Sequence, residues 1–282
     1  MQEPKRLFYY DYLRIFAALS VVVLHISASK WFSTEISTFE WHVMNVFDGL
    51  QRWNVPIFVM ISGALLIEKE KSLRQLFTKN ILKITIVYIS WSLFYALVDV
   101  CINRNYSINH FLREFVLGHY HMWFLLMLIG LYVIVPLLSL IVKNRRMMVY
   151  FLFLAFLLAC VVPEANNIIH HVIPNLSDII ISLLAKTHFH FALGYSGYFI
   201  LGFFLAHTEI PQKAEIVVYC LGLVGVVFTI GVTAWFSNWL HYSTGILYGS
   251  LTINTFLVSI AVFVFFKQRL NIPIKSQKNK IA

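Results

Sequence analysis

Charged side chains are scarce in this sequence: only 12% of its 282 residues are Asp, Glu, Lys or Arg. Soluble globular proteins usually carry about 25%. Hydrophobic residues make up 59% of the chain, and the mean hydropathy is +0.74. Because a chain this apolar cannot cover its surface in water, the scarcity excludes an ordinary soluble domain and predicts a protein whose solvent is lipid.

Cysteine is also rare, with Cys101, Cys160 and Cys220 in or at the ends of separate apolar segments. The odd count and the lack of a CxxC spacing argue against a disulfide framework and a cysteine metal site. The pairs His170-His171 and His188-x-His190 could suggest a metal, but metal-binding histidines need convergent geometry and usually a carboxylate or a third imidazole, so we expect no metal. GxSxG and Walker-type motifs are missing as well, which leaves a covalent acyl-serine route without support.

The net charge of +9 does not indicate a nucleic-acid partner, because the basic residues form no stripe with interleaved aromatics. They cluster instead between apolar segments. Segments of about 20 apolar residues can cross a bilayer as helices. Eight such segments are present, at residues 8–29, 43–67, 81–102, 122–142, 147–162, 189–207, 214–236 and 246–266. The sequence predicts an all-α, polytopic transmembrane bundle of about eight spans.

The distribution of Lys and Arg predicts the orientation of these spans. Most of the 22 basic residues fall on one predicted side of the membrane. They lie near both termini and in the connections at 68–80, 143–146 and 208–213. Since cytoplasmic loops are enriched in Lys and Arg, both termini are predicted to be cytoplasmic. Residues 1–270 then form one transmembrane domain and residues 271–282 a basic cytoplasmic tail.

Ionisable residues within a span are costly and therefore candidates for function. The first predicted span contains Asp11, Arg14 and His25. Arg14 and His25 are eleven residues apart, which places them within about 20° on one helix face and roughly 16 Å apart along the axis. Arginine suits a phosphate or pyrophosphate, and histidine suits proton abstraction from a hydroxyl. Pantetheine is long enough to reach from one to the other.

Structural interpretations of the same residues stay open. Arg14 could extend to the inner interface or pair with Asp11, and His25 could be an ordinary interfacial residue. Asp48 and Arg52 have the i,i+4 spacing of a helix-internal ion pair, or they could line an outer cavity beside His25.

Four stretches of the sequence resemble, in the same order, the membrane-bound acyltransferase 3 family, whose bacterial members O-acylate surface polysaccharides. The first is the R-x10-H pattern from Arg14 to His25. The others are VPIFVMISG at 55–63, HMWF at 121–124 followed by Tyr132 and Pro136, and YFILGF at 198–203.

This resemblance implies an enzyme of the bacterial cytoplasmic (inner) membrane that uses acyl-CoA, usually acetyl-CoA, as co-substrate and binds no other cofactor. It implies an acceptor hydroxyl on an extracytoplasmic or lipid-linked glycan. His25 matches the catalytic base and Arg14 the donor-binding arginine of the family, and Asp11 fits the start of the same pattern. His121 and Trp123 fall in a matching stretch and are candidates for the acceptor site, or for interfacial anchors.

The sequence departs from the family in two places. Where the family often has an RxxR pair before its third helix, this chain has Asn80 and Lys83, so Lys79 and Lys83 are the candidates for binding donor phosphates. Family members also typically have more spans, which raises the alternative of an inactive, truncated relative. Another alternative is a transporter or exporter of polysaccharide or lipid-linked sugar, which the lack of paired repeats disfavours.

Overall fold

The computed structural model describes residues 7–68, 72–104, 106–187 and 190–270. Every regular element in these residues is helical, as the sequence predicts. The predicted tail at 271–282 lies outside the described residues. The α-helices are α1 (Phe8–Trp31), α2 (Phe39–Leu50), α3 (Asn54–Ile67), α4 (Leu73–Gln75), α5 (Leu82–Asn103), α6 (Ile108–Leu117), α7 (Trp123–Val142), α8 (Arg145–Phe156), α9 (Val162–Val172), α10 (Pro174–Thr187), α11 (His190–His207), α12 (Gln212–Leu240) and α13 (Ile253–Arg269).

Six helical stretches of the described chain are long and apolar enough to cross a membrane. They are Phe8–Trp31, Phe39–Ile67, Leu73–Asn103, Ile108–Val142, Arg145–Val172 and Gln212–Leu240. Each overlaps one of the predicted spans. The other two predicted spans coincide with α11 and α13, which have 18 and 17 residues. The all-helical membrane class is therefore confirmed, while the count of eight and the orientation stay predictions.

The start of the last predicted span differs from the structure. The prediction begins it at residue 246, whereas α13 begins at Ile253. Residues 246–252 contain Gly249, Ser250 and Thr252 and form turns instead of a helix. Glycine and hydroxyl side chains favour turns over helix interiors, which explains why the apolar residues around them do not continue the helix.

The chain forms two compact units. The large unit contains the described residues of 1–64 and 149–282, and the small unit those of 65–148. In the large unit, α1 packs against α2 and α13, and α12 packs against α2 and α13. Trp31, Trp41 and Tyr248 form a buried aromatic cluster where the ends of α1 and α2 meet the segment before α13.

Two glycines let α3 and α11 cross with their backbones in contact. A Cβ atom on Gly63 would lie 1.8 Å from the carbonyl oxygen of Phe199, and one on Gly202 would lie 2.0 Å from that of Met60. Small residues at such crossings are the usual means of close helix packing in membranes. The crossing places two of the family-like stretches, 55–63 and 198–203, against each other.

In the small unit, α5 is the central element. A π-helical segment, Leu76–Ile81, joins α4 to α5, and both it and α5 contact α7. The short helix α6 runs back along α5: the Tyr88 hydroxyl donates to the carbonyl of Val116 at 2.8 Å, and His110 Nε2 lies 2.6 Å from an Asp99 carboxylate oxygen. The sequence predicts a loop here, but α6 is an amphipathic helix that returns beside its neighbour.

Candidate active site

Helix α1 carries the predicted donor and base residues on one face. It is continuous from Phe8 to Trp31, so the helical register that relates Arg14 to His25 is kept. Leu13 and Ala17 are fully buried on its packed side, whereas Arg14 and His25 are exposed. The Arg14 Nη1 atom lies 3.3 Å from an Asp11 carboxylate oxygen. The pairing with Asp11 therefore exists, and it leaves the Arg14 side chain 46% exposed.

Asp48 and Arg52 form the ion pair that their spacing predicts. The Arg52 Nη2 atom lies 2.5 Å from an Asp48 carboxylate oxygen, and the Asp48 side chain is only 1% exposed. His25 is close enough to contribute to the electrostatic environment of Asp48. The ion pair therefore neutralises a buried charge, as one of the two interpretations predicts, while an outer cavity shared with His25 stays a prediction.

Tyr248 fixes this ion pair from the segment before α13. The Arg52 Nη1 atom donates to the Tyr248 carbonyl oxygen at 3.0 Å, and the guanidinium lies 3.9 Å from the centre of the Tyr248 ring. The Tyr248 hydroxyl in turn donates to the backbone carbonyl of Asn45 at 3.1 Å and also contacts the Asn45 side-chain oxygen. Arginine is suited to combining a carboxylate, a carbonyl and an aromatic face in this way. Sequence reasoning misses Tyr248, because nearly 200 residues separate it from its partners.

The predicted donor-binding lysines lie in the small unit. Lys79 is in the π-helical segment Leu76–Ile81, and Lys83 is in the first turn of α5. Both side chains are exposed, as is that of Arg74 in the preceding turn. π-Helical turns occur often at functional sites. Arg74, Lys79 and Lys83 thus place three cations within residues 74–83, near the end of α5 that is predicted to face the cytoplasm.

His121 and Trp123 lie where the chain returns from α6 to α7. Gly118 ends α6 with a φ of 70°, and a Cβ atom there would lie 2.9 Å from the Tyr88 hydroxyl. The Nδ1 atoms of His119 and His121 are 2.6 Å apart, and the His119 ring stacks on Tyr95 at 4.7 Å. Because Tyr95 lies well inside α5, α6 carries this histidine pair along the helix toward its middle. The sequence predicts the pair at the outer end of the span at 122–142. It gives no sign that α6 runs back along α5.

Helix α9 contains polar residues that the sequence assigns to a loop. Glu164 is 4% exposed, and its Oε2 atom accepts a hydrogen bond from the backbone N–H of Ile253 at 2.6 Å. It thereby satisfies an open donor at the first turn of α13. The spacing of Glu164, Asn167, His170 and His171 at three- and four-residue intervals is the sequence signal that could have revealed the helix.

In the part of the chain that the structure describes, no group of three or more His, Cys, Asp or Glu side chains is arranged to hold a metal ion. His188, one of the histidines considered for such a site, lies outside the described residues.

The family model of the acyltransferase domain of acyltransferase 3 matches residues 7–274, nearly the whole chain. No curated protein and no solved structure matches significantly. The matched region includes α1 with Arg14 and His25, the Asp48–Arg52 pair and every other helix described above. On this match, the chain belongs to the acyltransferase 3 family of membrane acyltransferases.

Proposed function

We propose that this protein transfers an acyl group, in the simplest case acetyl, from cytoplasmic acyl-CoA to a hydroxyl of an extracytoplasmic or lipid-linked glycan. One observation supports this most directly. Arg14 and His25 share an exposed face of α1 and are separated by roughly 16 Å along its axis. A donor held by its phosphates near Arg14 can extend its pantetheine arm along that face toward His25. The acyl group then crosses the membrane without the nucleotide.

The reaction needs one base and no covalent enzyme intermediate. The acceptor hydroxyl oxygen attacks the thioester carbonyl carbon while its proton passes to the imidazole of His25. The carbon–sulfur bond then breaks, the ester remains on the glycan, and the thiolate of CoA takes up the proton.

The remaining predicted residues have supporting roles in this proposal. Arg14 binds donor phosphate, and Lys79 and Lys83 of the small unit are further candidates for binding donor phosphate. Asp11 orients Arg14 through their 3.3 Å contact. Arg52 pairs with Asp48 and holds its carboxylate in place. His121 and Trp123 remain candidates for contact with the acceptor. Because the donor is cytoplasmic and the glycan is not, the proposed location is the bacterial cytoplasmic (inner) membrane.

The proposal is tested by complementing cells that lack the gene and measuring O-acetyl esters on their surface glycan. We expect His25→Ala to lower acyl transfer by about 10²- to 10⁴-fold, the usual contribution of a general base. In membranes, Arg14→Ala is expected to raise the KM for acetyl-CoA roughly ten- to a hundredfold, since it removes a charged hydrogen bond to phosphate.

Matched controls separate these roles from general damage. His42→Ala changes an exposed histidine on α2, and Lys30→Ala an exposed cation at the end of α1, and both should keep full activity. Normal insertion of each variant is checked by its amount in the membrane fraction. Wild-type acylation by a well-inserted His25→Ala protein would exclude His25 as the base. A loss of glycan export with no change in acylation would favour the transporter instead.

A further inference from the structure

A cavity of about 780 Å³ with several polar side chains lies in the large unit, and neither Asp48 nor Arg52 lines it. It is lined by α9 and the turn before it, the beginning of α11, the turns before α13, and Phe32 at the end of α1. This volume is within the range of small-molecule binding sites. Two other cavities of the same unit, of about 640 and 350 Å³, are lined mainly by apolar side chains.

Helix α9 gives the cavity its polar character. Glu164, Asn167, His170 and His171 recur at helical spacing and all line it. Glu164 is held by the N–H of Ile253, so its carboxylate has a fixed position in the wall. Asn167 and His170 are exposed in the turns that follow. The result is a fixed carboxylate followed by an amide and imidazoles along one wall.

The chemistry of the lining selects a neutral ligand with many hydroxyl groups. None of the described residues that line the cavity is Lys or Arg, so the lining offers a phosphate no fixed cation. Carboxylate, amide and imidazole groups can each exchange hydrogen bonds with hydroxyls. Tyr195 and Phe32 add aromatic surface for the apolar faces of a sugar ring. These features together fit a saccharide.

The cavity is placed for the acceptor of the proposed reaction. Phe32 is seven residues beyond His25, which puts it within about 20° on the same face of α1 and roughly 10 Å further along the axis. Its backbone dihedral angles are helical, so the register of α1 extends to it. Arg14, His25 and Phe32 therefore follow one another along one face, from the predicted cytoplasmic end to the edge of the cavity.

We infer that this cavity binds the saccharide acceptor and holds it on the outer side of His25. The inference rests on the proposed function, since it assigns the second substrate of that reaction to the α9 cavity. Glu164 and Asn167 bind sugar hydroxyls, and His170 contacts the next part of the saccharide acceptor. The donor phosphates, by contrast, bind at the other end of α1.

Direct binding of glycans tests this inference separately from catalysis. The protein is placed in lipid nanodiscs, which avoids sugar-based detergents, and carries His25→Ala so that no turnover occurs. Its binding is measured on an array of neutral and N-acetylated oligosaccharides, each present both free and with an alkyl chain. We expect the His25→Ala protein to bind at least one glycan. Preference for the alkylated form would identify a lipid-linked acceptor, and equal binding a free polysaccharide.

Cavity variants are then made in the same background. Asn167→Ala and Glu164→Gln should each lower affinity at least tenfold, and Glu164→Gln keeps an oxygen that can accept from Ile253. Asn175→Ala, an exposed asparagine on α10 that does not line the cavity, should bind as well as the parent. Unchanged binding by Asn167→Ala, or no binding to any glycan on the array, would overturn the inference.

The two proposals fail in different ways. If His25→Ala still acylates glycan in cells while Asn167→Ala abolishes binding, the proposed base is wrong and the saccharide cavity stands. If His25→Ala abolishes acylation while every cavity variant binds glycan normally, the base stands and the acceptor binds elsewhere.

Discussion

At the scale of single residues, Arg52 does the most to hold the site together. It contacts the Asp48 carboxylate, the Tyr248 carbonyl and the Tyr248 ring, and these contacts join α2 to the turns before α13. Removing one partner of a buried ion pair leaves the other charge uncompensated. The stability of this part of the molecule therefore depends strongly on the Arg52 side chain.

We predict that Arg52→Gln lowers the free energy of unfolding by about 3–5 kcal/mol. Asp48→Asn in the same chain should recover part of this loss, because the double variant no longer buries an unpaired carboxylate. The measurement is thermal unfolding in detergent for the parent, both single variants and the double variant. The prediction would be wrong if the loss of stability in the double variant equalled the sum of the losses in the two single variants. The two side chains would then act independently.

At the scale of elements, the sequence predicts the long apolar helices better than the short polar ones. The relation of Arg14 to His25 follows from an uninterrupted helical register, which α1 keeps. Helices α6 and α9 lie in stretches rich in polar residues, so hydropathy assigns them to loops. The contact of Arg52 with Tyr248 joins residues far apart in the chain, and no local periodicity can reveal it. For the same reason, the cavity lined by α9 is visible only in the folded chain.

The crossing of α3 and α11 leads to a prediction for glycine. Gly63→Ala or Gly202→Ala would force a methyl group into a backbone carbonyl, so we expect a loss of about 1–3 kcal/mol or failure to assemble. Gly231→Ala in α12 is the matched control, since a Cβ atom there meets nothing within 4 Å. Alanine favours a helix over glycine by up to about 1 kcal/mol, so the control should be neutral or slightly stabilised. Thermal unfolding of the three variants tests the contrast, and equal effects would contradict it.

At the scale of the whole molecule, charge and hydropathy predict orientation. The cations at 143–146 should lie in the cytoplasm and the connection at 33–38 outside. In a chain whose three native cysteines are replaced, a single cysteine at Ser37 should react with a membrane-impermeant maleimide in intact cells. One at Asn144 should react only after permeabilisation. Both positions are exposed, so accessibility within the protein does not limit labelling. The reverse pattern would invert the predicted topology and with it the direction of acyl transfer.

The division of the large unit also has a consequence for how the protein is made. Its first three helices are synthesised before the small unit, and its remaining helices after it. The surface of α3 at Gly63 therefore has no α11 to pack against until Gly202 has been translated, a delay on the order of ten seconds at typical rates of synthesis. During that time α3 lacks its partner within the chain. We expect membrane chaperones that shield unpaired helices to bind α3 during this interval. The contacts of Arg52 with Tyr248 form only later, once Tyr248 has been synthesised.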